Sequence, residues 1–154
     1  MQKKLTIEQI TDLYNHYMII LNIELDMGVK PGELRHLIGR LGEFHGAINV
    51  KGTMALGSNQ KGYDIECGAR RISVKTTSQN SSFMVVNDKT LNLATDLMFI
   101  KFDEHKMRTF SIIFCEPVDV VKILWRRYPK VGKFIQYELY MKDVMEYTKL
   151  KKAG

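Results

Sequence analysis

Apolar residues recur at helical spacing from Ile7 to Leu25, through Ile10, Leu13, Tyr17, Met18 and Leu21, the period of one buried helix face. Thr6-Ile7-Glu8-Gln9 precedes them as a capping box, so the pattern predicts a helix from Thr6 to about Asp26. Ile19, Ile20 and Ile23 widen the stripe and predict burial on more than one side. A second helical stripe, Leu34, Leu37, Ile38, Leu41, Phe44 and Ile48, predicts a helix from about Pro31 to Val50, with proline at a favoured first position. Gly39, Gly42 and Gly46 lie on a neighbouring strip of that helix. Each costs about 1 kcal/mol of helix propensity relative to alanine, so the strip predicts a backbone packed closely against it. At about 100° per residue, Glu43 falls beyond the glycines, near His36, Arg40 and Ala47.

The period then changes from 3.6 to 2. Tyr63, Ile65 and Cys67 alternate with Asp64 and Glu66, and beyond Gly68-Ala69 the residues Ile72 and Val74 alternate with Arg71, Ser73 and Lys75. This predicts a hairpin over Gly62–Thr77 with a two-residue loop at Gly68-Ala69. The register sets Asp64 opposite Ser73, with Lys75 one pair further along. Asp64, Glu66, Arg71, Ser73 and Lys75 then share an ionisable face, opposite an apolar face of Tyr63, Ile65, Cys67, Ile72 and Val74.

Lys51–Lys61 reads as a loop-like linker with a short strand at Thr53–Leu56, and Ser78–Ser82 as a polar loop. Phe83–Val86, Asp96–Asp103 and Met107–Cys115 read as strands, the last two joined across Glu104-His105-Lys106. Asn87–Ala94 fits no single pattern. A helix is predicted from Pro117 to about Tyr128-Pro129 and a final one from about Leu139 to Leu150, followed by a basic tail. Helices and strands interleave, so the chain is predicted to be a single α/β domain with a central mixed sheet.

Composition narrows the function classes. A chain of 154 residues, 45% hydrophobic and 26% charged, is long enough for a real core. The net charge of +6 favours a polyanionic partner, of which nucleic acid is the usual one. Two cysteines, Cys67 and Cys115, make no disulfide framework and predict a reduced, cytoplasmic setting. No segment has the pattern of a signal peptide or a membrane span, so no membrane partner is expected. The sequence does not fix the oligomeric state, and a homodimer is compatible with it.

Several groups carry candidate chemistry. Asp64, Glu66 and Lys75 on one hairpin face suit metal-assisted phosphodiester hydrolysis: carboxylates hold a hard cation, and a lysine orients water or stabilises charge. The plainer alternative is a charged outer face with Glu66 and Arg71 as a cross-strand pair. Arg126, Arg127, Lys130 and Lys133 interleave with Trp125, Tyr128 and Phe134, as phosphate-contacting and base-stacking surfaces do, or else the arginines simply complement a helix C-terminus. Thr77, among the polar residues Thr76–Asn80, is a further candidate phosphate contact. His16, His36, His45 and His105 show no metal-ligand spacing.

Arg40-Leu41-Gly42-Glu43 on a helix, then Gly62-Tyr63-Asp64, then Ile72-Ser73-Val74-Lys75-Thr76-Thr77 resembles the PD-(D/E)XK, or restriction-endonuclease-like, nuclease superfamily. The resemblance covers roughly Leu34 to Asp103. It implies a three-layer core, over about residues 31–115, in which helices flank a mixed central sheet. It also implies Mg²⁺ or Mn²⁺ as cofactor and DNA as substrate. By that resemblance Asp64 is the metal ligand, Lys75 the catalytic lysine and Glu43 an accessory metal or water ligand. This chain departs from the pattern two residues before the lysine, where Ser73 stands in place of an acidic residue. A neutral hydroxyl is a poor Mg²⁺ ligand. The missing carboxylate is therefore expected from Glu66 or Glu43, or metal binding is weak. A catalytically inactive nucleic-acid-binding module on the same fold is the alternative, and an interaction subunit without DNA affinity a third.

Overall fold

A computed structural model describes residues 3–56, 62–80, 83–129 and 135–154. Helix α1 spans Ile7–Asp26 behind the expected capping box: the Gln9 amide donates to the Thr6 hydroxyl, and the Gln9 side chain accepts from the Thr6 amide. A 3-10 turn, Pro31–Glu33, precedes helix α2, Arg35–Val50. Strand β1, Lys4–Leu5, which has no signal in the sequence, pairs antiparallel with β2, Met54–Ala55. Strands β3, Ile65–Cys67, and β4, Arg70–Thr77, form the predicted hairpin. Cys67 pairs with Arg70 around Gly68-Ala69, and Gly68 takes the positive φ of 61° that the tight loop requires.

Strand β5, Phe83–Val86, leads into a single helical turn, α3, Asp88–Leu91, whose first amides are capped by the Asn87 side chain. This resolves the stretch that fitted no single pattern. Strands β6, Asp96–Asp103, and β7, Thr109–Pro117, complete a four-stranded mixed sheet in the order β3-β4-β6-β7. Strand β4 runs parallel to β6, and the other pairs are antiparallel. Helix α4, Val118–Leu124, is followed by β8, Arg126–Pro129, then β9, Ile135–Tyr140, and helix α5, Met141–Ala153. Strands β5, β9 and β8 form a second, antiparallel sheet.

Three expectations are corrected. The segment Arg126–Pro129 is a strand, not a helix end: Arg126 to Pro129 pair with Glu138 to Ile135, and Trp125 stacks on Tyr137 at 4.0 Å. The last helix begins at Met141, because Leu139 and Tyr140 are claimed by pairing with Met84 and Phe83. Helix α1 is buried on one side only. Ile10, Leu21 and Leu25 face the core, whereas Ile19, Ile20 and Ile23 are exposed.

The main sheet is a partition between two apolar cores. On one face, Ile65, Ile72, Val74, Met98, Ile100 and Phe102 pack against α1 and α2. On the other, Leu97, Phe99 and Phe114 pack with α4, α5 and the second sheet through Val118, Val121, Leu139 and Val144. Helix α2 comes very close to the sheet along its glycines. A Cβ on Gly42 would lie 1.9 Å from the Thr76 hydroxyl, and one on Gly46 would lie 2.7 Å from the Met98 sulfur. Gly39 differs, since a Cβ there meets nothing within 4 Å. Gly39→Ala is therefore expected to raise stability by about 0.5–1 kcal/mol, the helix-propensity difference, as read by thermal unfolding.

Candidate active site

The site forms where β3 stops short, so that beyond Ile72 β4 has no strand partner on that side among the described residues. Asp64 lies just before β3. Its amide donates to the Ile72 carbonyl (2.9 Å), and its Oδ2 accepts from the Val74 amide (2.7 Å). The carboxylate thus occupies the edge position that a longer β3 would fill, and the hydrogen bond fixes its orientation. Burial raises the Asp64 pKa above the ordinary carboxylate range, opposed by the Val74 amide and by the charges of Lys75 and Arg40.

Glu43 reaches the same place from α2, because Gly42 seats that helix directly on Thr76, the residue after Lys75. Its Oε2 accepts from Arg40 Nη1 at 2.8 Å, and the Arg40 guanidinium lies 4.6 Å over the Phe44 ring. Burial raises the Glu43 pKa first, and the neighbouring charge of Asp64 raises it further; Arg40 and Lys75 oppose both. Lys75 is exposed on β4, and among the described residues its ammonium makes no hydrogen bond. Glu43, Asp64, Lys75 and Arg40 therefore come from three separate segments into one electrostatic neighbourhood. Ser73, half-buried, sits one register step beyond the Ile65–Ile72 pair, opposite Asp64.

Glu66 is the sequence candidate that does not join them. It forms an ion pair with Lys4 and accepts from the Tyr63 hydroxyl at 2.9 Å, and these hydrogen bonds hold its carboxyl below the usual range. The two carboxylates are drawn to different partners. Asp64 turns onto the β4 edge, while Glu66 is drawn toward β1. No group of three or more His, Cys, Asp or Glu ligands is found among the described residues.

The nucleic-acid candidates divide similarly. Arg126 is locked by two 2.9 Å hydrogen bonds to Asp143 and lies 4.4 Å over the Tyr140 ring. Arg127 is exposed on β8. Lys130 and Lys133 lie outside the described residues. Thr77 is half-buried, accepts from the Gln79 amide, and lines a cleft of about 200 Å³ with Arg35 and Gln79. Cys67 and Cys115 are half-buried and unbridged, and burial raises the Cys115 thiol.

Arg40 was not a site residue from sequence, although its i,i+3 spacing to Glu43 is the signal for such a pair. A groove of about 480 Å³ beside it, lined by Tyr17, Arg35, His36 and Glu43, gives the site an opening along α2.

The class defined by fold and site is a mixed α/β chain, with a mixed sheet between helices, carrying a carboxylate–lysine cluster at a sheet edge. The chain is similar to YnaC, an uncharacterized protein of Bacillus subtilis, at 42% identity over 122 residues. The matched region is 79% of this chain and 45% of that protein, so the chain spans less than half the length of its relative. No family model matches the chain. No helix among the described residues is long and apolar enough to cross a membrane.

Proposed function

We propose that this chain is a metal-dependent, nuclease-like protein that hydrolyses DNA phosphodiester bonds on a restriction-endonuclease-like core of the PD-(D/E)XK type. The observation supporting this reading is that Glu43, Asp64 and Lys75, the residues the resemblance singles out, lie in one electrostatic neighbourhood. The donor set fits Mg²⁺ or Mn²⁺, since Mg²⁺ retains several waters and is commonly held by one or two carboxylates plus substrate phosphate. Both carboxyl groups have raised pKa values, which a bound cation would relieve. Asp64 and Glu43 would hold the ion; when bound, it lowers the pKa of a water and polarises the phosphate.

The residues of the chain do the rest. The Val74 amide keeps Asp64 directed along the open edge. Arg40 counteracts protonation of Glu43 and fixes its rotamer. The Lys75 ammonium, with no hydrogen-bond partner among the described residues, is available to a phosphate oxygen or an attacking water. The reading predicts that purified protein cuts DNA with Mg²⁺ or Mn²⁺ and that EDTA stops it.

A second reading is a catalytically inactive nucleic-acid-binding module. It is favoured by Ser73 opposite Asp64 and by the prior engagement of Glu43 with Arg40. It predicts salt-dependent DNA binding that EDTA leaves unchanged, without cleavage.

A further inference from the structure

The sheet face turned away from α2 carries a cavity that the hydrolytic reading does not use. It measures about 450 Å³ and is walled by Phe83, Ile113, Tyr140 and Met145, with Lys101 and Lys142 among its lining and no carboxylate there. That volume is in the range of small-molecule sites. Phe83 and Tyr140 are directly paired between β5 and β9, with ring centroids 5.3 Å apart and tilted by 35°. The Arg126 guanidinium, itself fixed by Asp143, lies over the Tyr140 ring. Phe83 is 47% exposed, so its ring is open to solvent beside the cavity.

The strand register relates this cavity to the candidate active site. In the parallel β4–β6 register Lys75 pairs with Phe99 and Thr77 with Lys101. Alternate residues of a strand share a face, so Lys75, Thr77 and Lys101 lie on the same side of the sheet. One strand across and two residues along is about 8 Å, on the order of one extended nucleotide. The Lys101 ammonium donates to Asn80 and has Asp103 at 3.8 Å, which offsets part of its charge. Among the described residues, Lys142 has no ion-pair partner.

We propose that this cavity receives one unpaired nucleobase of a bound strand, stacked on Phe83, with Lys101 and Lys142 holding the adjoining phosphates. Every base has a π-face, so an aromatic wall serves any sequence, and two ammonium groups match a phosphate backbone. Bases inside a duplex are already stacked, so the cavity selects single-stranded or locally opened nucleic acid. The inference rests on the nucleic-acid part of the proposed function but not on catalysis.

The test is fluorescence anisotropy in EDTA with two labelled strands of equal length, one of mixed sequence and one fully abasic. Wild-type protein is expected to bind the base-bearing strand about 10-fold more tightly. Phe83→Leu, which keeps the packing but removes the aromatic face, is expected to erase that preference and leave abasic-strand binding within about twofold. Phe83→Tyr is expected to retain the preference. Equal wild-type affinity for both strands, no binding to either, or a preference that survives Phe83→Leu would overturn the proposal. Metal-dependent cleavage measured alongside separates the two claims: cleavage without base preference removes only the cavity's role, and base preference without cleavage removes only hydrolysis.

Discussion

Asp64→Asn is expected to reduce metal-dependent DNA cleavage by at least about 10²-fold while making the folded chain more stable at neutral pH. The stability half follows from the direction of the pKa shift. Burial raises the Asp64 carboxyl in the folded state, so between the ordinary carboxylate range and that raised value the folded chain binds more protons than the unfolded one. Stability therefore falls as pH rises through this window, and the deficit is complete above the folded-state pKa. Asparagine carries no charge at any pH, and its amide oxygen can still accept from the Val74 amide. It also removes the neighbouring charge that raises Glu43. Urea unfolding of both proteins at about pH 4 and at neutral pH should show the variant gaining on wild type as pH rises. A deficit in the variant that grows toward neutral pH would contradict this account of the site.

The second large effect is structural. Gly42→Ala is expected to destabilise the chain by about 2 kcal/mol, despite alanine's better helix propensity. The new Cβ would lie 1.9 Å from the Thr76 hydroxyl, 2.9 Å from its Cβ and 3.0 Å from its Cγ2, so α2 must lift from β4. Lifting α2 also carries Glu43 away from Asp64. Thr76→Ala in the same chain removes two of the three contacts and is expected to recover more than half of the loss, as read by thermal unfolding. The Thr76 hydroxyl is buried without a hydrogen-bond partner, so its removal forfeits no bond within the described residues. Equal stability of wild type and Gly42→Ala would mean that α2 does not sit on the sheet as described.

The parts of this architecture that the sequence disclosed were those with a local signal. The capping box at Thr6 set the start of α1, and Gly68-Ala69 set the hairpin register and hence the position of Asp64 opposite Ser73. The glycine strip announced the close approach of α2, and Gly42 and Gly46 are where the sheet lies; a Cβ on Gly39, on the same strip, meets nothing within 4 Å. Glu66 misled because its carboxylate is taken up by Lys4 and the Tyr63 hydroxyl, partners that alternation along the hairpin does not reveal. Strand β8 was unreadable for another reason. Its four residues are all exposed, so they carry no burial pattern, and their strand conformation is imposed by pairing with β9. The same tertiary pairing placed Arg126 on Asp143 and Tyr140, where a sequence of alternating bases and aromatics had pointed to free phosphate contacts.

The most direct test of the central claim is DNA cleavage by purified wild-type protein and Lys75→Ala, side by side with Mg²⁺ or Mn²⁺ and with EDTA. Lys75 is exposed, so the variant should remain folded, as checked by thermal unfolding. Metal-dependent cutting by wild type, abolished by EDTA and reduced at least about 10²-fold in Lys75→Ala, is the result predicted here. Equal cutting by the correctly folded variant, or none by wild type with either metal, would contradict it.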